Sequence, residues 1–228
     1  MGLEKNIYLI RGGKSEQYAQ FQKRILVLLE NLTKEKDVKS ISVVITVQKP
    51  PGISVIPFKR KKIASISVKS EKRLIIDQLT RIDGFAGLYR VEEAIPIGYE
   101  KTWNDREPSP GVNLFTLFRK KRSITYETFI DRWHNRHTPL SLKLHPLWNY
   151  NRNVVLDVVI DQAEHWDGIV EEHFQKASDL LNPARFFGNT FTMIYHMLEV
   201  FIDTRSFLDY KTIETYLAQE YHIKSLQD

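Results

Sequence analysis

Apolar and polar positions switch period several times along the chain. Residues 6–10 (NIYLI) read as a strand. From about Glu16 to Leu32, Tyr18, Phe21, Ile25, Leu28, Leu29 and Leu32 recur at helical spacing, with Ser15 as the expected N-cap. Ile41, Val43, Ile45 and Val47 then alternate with a more polar set, and Pro50-Pro51-Gly52 ends that strand. Ile63–Lys69 predicts another strand, Glu71–Leu79 a short helix and Phe85–Ala94 a further strand. The order is β-α-β-β-α-β. Ile97–Pro110 reads as a linker.

The order then returns. Val112–Phe118 predicts a strand and Thr125–Leu140 a helix, with Thr125 as N-cap. Arg152–Ile160 and Ile169–Phe174 predict strands, and 177–200 a helix that Pro183 and Gly188 must kink or split. Residues 209–218 (DYKTIETYLA) read as the closing strand. A repeat of half the chain length implies two similar modules, 1–107 and 108–228. The expected fold class is α+β: two tandem ferredoxin-like modules packed sheet to sheet as a pseudo-dimeric α+β barrel. Imperfect closure between the sheets would leave a small-molecule cavity there.

With no cysteine, disulfides, thiolate zinc sites and cysteine nucleophiles are excluded. The longest clean apolar run, ILVLL at 25–29, is far too short for a membrane span, and MGLEKNIYLI lacks a signal-peptide core, so a cytoplasmic protein is expected. Net charge is +5, much of it from Lys59-Arg60-Lys61-Lys62 and Arg119-Lys120-Lys121-Arg122. Neither run has interleaved aromatics, which argues for solvated turns over a nucleic-acid surface. Arg11-Gly12-Gly13-Lys14-Ser15 ends like a phosphate loop, but Tyr8 stands where the pattern needs its first glycine. No G-x-S-x-G or dinucleotide fingerprint is present.

All seven histidines lie beyond residue 130. Among them is the segment Phe129-x-x-x-Trp133-x-x-x-His137-x-Pro139, which resembles the motif of EthD-domain proteins in the dimeric α+β barrel superfamily. Tyr150 with Arg152 and Asn153, the pair Asp167-Gly168, and Phe201-Ile202-Asp203 also look like that family's pattern. The resemblance runs from about 112 to 218. Helix 16–32 carries no Trp-x-x-x-His-x-Pro, so the first half resembles a degenerate repeat serving as a built-in partner. The family implies roles in ether degradation or in polyketide tailoring as dehydratases, decarboxylases or cyclases. The wider superfamily includes cofactor-free oxygenases, isomerases and haem enzymes.

His137 is the leading candidate. Just before Pro139 it reads as a helix C-terminal residue, either a base facing a pocket or a cap on the last carbonyls. His134, three residues earlier, shares a helix side with it and is a second acid–base candidate; a bare H-x-x-H without further ligands predicts no metal site. Asp167 before Gly168 is a turn residue by its own chemistry and a catalytic candidate through the resemblance. Tyr150 could donate to a substrate carbonyl, as could Tyr126. Phe129 and Trp133, one turn apart, suit a core or a pocket wall. His173 with Glu171, and Glu214 with Thr212 and Tyr216, share strand faces and join the set if those faces line the cavity. The expected activity is a cofactor-independent lyase, dehydratase or cyclase on an aromatic or polyketide-like ligand. An oxygenase, cofactor-free or haem-dependent, and a non-catalytic carrier of a hydrophobic ligand stay open. No membrane or nucleic-acid partner is expected, and a further homodimer could extend the internal pseudo-dimer.

Overall fold

In a computed structural model, residues 2–72, 74–160 and 163–226 are described. Those residues form β1 (Glu4–Arg11), α1 (Tyr18–Leu32), β2 (Val38–Ile45), β3 (Ile63–Ser70), α2 (Asp77–Thr80) and β4 (Phe85–Ile97). The second half supplies β5 (Val112–Phe118), α3 (Tyr126–Asp131), a π-helical stretch (Arg132–His137), α4 (Thr138–Leu144), β6 (Asn149–Val158) and β7 (Gly168–Phe174). It ends with α5 (Ala177–Leu181), α6 (Pro183–Phe186), α7 (Met193–Arg205) and β8 (Glu214–Lys224).

The strands close into one antiparallel barrel in the order β1-β3-β2-β8-β5-β7-β6-β4. Each half supplies four neighbouring strands. The halves meet edge to edge, β2 on β8 and β4 on β6, rather than as two stacked sheets. Edge pairing is favoured because an open edge leaves a row of unpaired N–H and C=O groups. Period-two alternation then divides every strand between the barrel interior and an outer, helix-covered face.

Buried apolar residues gather in three clusters among the described residues. Tyr8, Ile10, Ile41, Ile66 and Leu88 on the first half's outer face meet Phe21, Ile25 and Leu29 of α1. Ile7, Leu9, Tyr89, Phe115, Trp166 and Tyr216 fill one end of the barrel interior. On the second half's outer face, Phe118, Tyr150 and Phe174 meet Phe129, Trp133, Phe186 and Phe207 from the helices. The opposite face of α7 leaves Ile194, Tyr195, Leu198 and Ile202 exposed.

Several elements differ from the sequence expectation. α1 starts at Tyr18 with Gln17 as N-cap, and the Gln20 side chain accepts from the Gln17 backbone N–H at 3.0 Å. Ser15 is displaced from the cap because Glu16 instead binds Gly13 N–H at 3.1 Å and Arg24 Nε at 2.9 Å. The helix expected over 71–79 shrinks to the single turn α2, held where Tyr8 Oη accepts from Ile76 N–H at 3.0 Å; residue 73 of that span lies outside the described residues. The closing strand is β8, later than 209–218. Asp209 turns the chain, binding Lys211 N–H through its side chain, and β8 must be long enough to pair β5 with its first part and β2 with its second. The helix expected over Thr125–Leu140 does not end at Leu140. It widens into the π stretch and runs on to Leu144, with Pro139 near the start of α4. Proline has no N–H and crowds the carbonyl four residues back; a π turn relieves both demands.

Candidate active site

The second half's helices do not seal its sheet. They leave a largely apolar cavity of about 390 Å³ between the outer face of β5, β6, β7 and β8 and the helices around it. It lies beside the second half's sheet, outside the barrel, rather than between the two halves' strands. Leu114, Phe118, Trp133, Tyr150, Phe187 and Phe207 make apolar and aromatic walls. Val55, Ile56, Pro57 and Lys59, from the loop before β3, line it too. That first-half loop is pinned to β8: Thr215 Oγ1 donates to Pro57 O at 3.0 Å, and Lys59 N–H to Thr215 O at 2.7 Å.

His137 lines this cavity. The π stretch puts it in mid-helix, so the expected placement at a helix C-terminus, with its dipole and capping roles, is corrected. His137 Nδ1 lies 2.7 Å from Asp203 Oδ2 of α7. With a proton on Nδ1 the ring donates to that carboxylate, and Nε2 keeps its lone pair. Nε2 is 3.2 Å from Ser141 Oγ, one turn along in α4 and also at the cavity wall.

Glu172 is the second titratable feature. It lies opposite Tyr150 in the β6–β7 ladder, on the cavity face. Burial alone pushes its carboxyl from 4.5 up to about 7. The Tyr150 hydroxyl accepts from Trp133 Nε1 at 3.3 Å, and burial, with Glu172 beside it, raises its pKa. His145 stacks on Phe186 with ring centroids 4.0 Å apart, and its Nδ1 lies 2.7 Å from Phe186 O. Burial pushes it down to about 4, so it is a neutral ring at the cavity wall.

Of the residues singled out from sequence, His137, Trp133 and Tyr150 share this cavity. Phe129 stands behind the wall, packed on Phe118, Trp133 and Phe207. His134 lies against Trp133 off the cavity; burial and Arg152 push it down to about 4. Asp167 binds Lys120 N–H at 2.9 Å and lies 3.3 Å from His165, so its contacts are with the strand-end loops, not His137. Tyr126 is half-exposed. Strand alternation turns His173 and Glu214 into the barrel: His173 bonds Pro110 O at 2.7 Å, and Glu214 pairs with Arg11 at 3.0 Å. The sequence reading missed Glu172, Ser141 and His145. Glu172 had a signal, since it alternates with Val170 and Phe174, a lone charge on an apolar strand face. No group of three or more His, Cys, Asp or Glu side chains able to hold a metal occurs among the described residues. No helix there is long and apolar enough to cross a membrane.

Gly168 has a packing role here. A Cβ on it would fall 2.3 Å from Phe118 Cζ and 2.9 Å from Trp133 Cη2, both cavity walls. Gly168→Ala is expected to destabilise by about 1–3 kcal/mol, read from a urea midpoint that falls at constant slope.

No family model and no curated protein matches the chain. Among the solved structures that resemble it in fold are two that span nearly the whole chain. One, with the name "anthrone oxidase-like protein", has a TM-score of 0.59 at 10% identity, over 99% of this chain and 95% of that one. The other, "Putative monooxygenase" from Fusobacterium nucleatum subsp. nucleatum, has a TM-score of 0.53 at 9% identity, over 97% of this chain and 93% of that one. The likeness is one of fold: a closed antiparallel barrel of eight strands with helices packed outside it.

Proposed function

We propose that this chain is a small-molecule enzyme that removes a proton from an aromatic or polyketide-like substrate held in the apolar cavity. The single observation behind this is His137, at an apolar wall, with one ring nitrogen held by Asp203 and the other next to the cavity. A base oriented in this way, against a phenolic O–H or an acidic C–H, works through Nε2 while Asp203 stabilises the resulting imidazolium. Glu172, part-protonated near neutrality, is the proton donor of the set, and Tyr150 is its neighbour on the sheet. In this reading each half is a ferredoxin-like module. The EthD-like second half carries the chemistry, and the first lends the 55–59 loop.

The resulting carbanion or phenolate can eliminate or cyclise, which is the lyase or cyclase reading. It can also react with dioxygen, and the names of the two structural neighbours favour that second reading. Neither route as drawn uses a cofactor. Anthrone serves as the probe, followed by absorbance under air and under nitrogen with an oxygen electrode. Loss only with oxygen uptake selects the oxygenase; anthrone carries no leaving group, so the lyase is read under nitrogen with a β-hydroxy ketone, whose deprotonation expels hydroxide as water and leaves an absorbing enone. Tight binding without turnover would replace both by a carrier, and a Soret band in the purified protein would replace the cofactor-free route.

A further inference from the structure

The barrel interior has two unlike ends. One is the aromatic cluster of Phe115, Trp166 and Tyr216. At the other, the inward positions change chemistry to lysine, serine, asparagine and glutamate, around a second cavity of about 290 Å³. It shares no lining residue with the apolar cavity. The two lie back to back across β7: Glu172 faces one and Glu171 the other.

The polar cavity has a built charge arrangement. Glu93 is held between two lysines, Lys5 Nζ at 2.7 Å from Oε1 and Lys69 Nζ on Oε2. Asn151 Nδ2 adds a bond to Oε1 at 2.8 Å. Burial pushes the Glu93 carboxyl upward, yet Lys5 and Lys69 hold it down at about 2. The lining sets Lys5, Lys69 and Lys224, with Lys101 paired to Asp105, against the carboxyls of Glu93, Glu220 and Glu171, the last raised to about 7 by burial, so positive charge is in excess while Glu171 keeps its proton, and each ammonium has further N–H groups to give. Two more wall atoms lack partners: Ser67 Oγ, on a side chain only 4% exposed, and Asn151 Oδ1. Buried polar groups are rarely left unpaired. The unmet needs are therefore an anion for the lysines and a donor for the asparagine carbonyl. At roughly 30 Å³ per water-sized group, the space holds about ten non-hydrogen atoms.

We propose that the polar end of the barrel is a second binding site, for a small hydroxylated anion with one carboxylate or phosphate group. The anionic group sits against Lys5 and Lys69, and a hydroxyl donates to Asn151 and meets Ser67. A charge-assisted contact of this kind accounts for about tenfold in affinity or more.

The test is titration calorimetry on the full chain with two probes, D-glycerate and glycerol 3-phosphate, which separate carboxylate from phosphate. At least one is expected to bind below about 10 mM. Lys69→Met weakens that binding about tenfold or more. Ser67→Ala, which leaves all charges in place and checks the result if Lys69→Met is poorly folded, weakens it several-fold. His137→Ala, in the other cavity, leaves it unchanged. The proposal is overturned if neither probe binds, if binding survives both Lys69→Met and Ser67→Ala, or if His137→Ala abolishes it. A failure of the proposed proton abstraction would show only in turnover and leave these titrations untouched.

Discussion

Replacing His137 with alanine lowers turnover of the cavity's substrate by about 10²–10⁴-fold while leaving its affinity within a few-fold. The asymmetry follows from the geometry. Binding rests on wide apolar walls such as Trp133, Phe187 and Phe207, of which the imidazole is a small part. Proton abstraction rests on one lone pair, on Nε2. Asp203→Asn keeps the shape but lets the side-chain amide present a donor to Nδ1, which favours the tautomer with Nδ1 unprotonated and Nε2 blocked. It is expected to lower turnover with a smaller effect on binding. Steady-state kinetics with a separate binding isotherm reads both. Turnover that survives in His137→Ala removes the acid–base reading and leaves a carrier.

Glu172→Gln is expected to make the protein more stable at pH 8, by roughly 2–3 kcal/mol, and less active. Burial raises this carboxyl from 4.5 to about 7. Between those values the folded chain keeps a proton that the unfolded chain has released. The Glu172 contribution to stability therefore falls as pH rises from 4.5 to 7 and is flat above. Glutamine removes that ionisation. The measurement is urea unfolding of both proteins at pH 4.5 and 8, read as the difference between them. That difference is needed because Glu171, inside the barrel and also pushed up to about 7, gives the same slope in both proteins. A difference that does not change with pH would mean that Glu172 ionises as a solvated carboxylate does. A gain in stability with a loss of activity is the usual signature of a strained functional group.

Much of the architecture was legible in the order of residues. The stripe of Phe21, Ile25 and Leu29 marked α1, and alternation marked the strands, because burying one face imposes the period of the element itself. Gly188 and Pro183 split the last helical region as their backbones require. The segment from Phe129 to Pro139 pointed to the helix on which His137 sits. Local pattern failed where a distant partner decides. His137 reads as lying near the end of a helix that stops at Leu140, but a π stretch carries the helix on to Leu144 and leaves His137 in its middle. Residues 209–218 read as a strand, but the pairing of β8 with both β5 and β2 moves it to 214–224.

The sequence by itself determined which residue types are available for chemistry, that every histidine lies beyond residue 130, and the periodicity that makes the sheets and helices. Only the tertiary structure decided which side of each strand meets a cavity. Glu171 and Glu172 are neighbours with the same side chain, yet one faces the barrel interior and the other the aromatic pocket. Period two makes adjacent residues diverge, but only the closing of the barrel through β2–β8 and β4–β6 says what lies on each side. The Asp203 carboxylate reaches His137 across 66 positions of chain for the same reason: no local rule relates them, and the packing of α7 on the π stretch does.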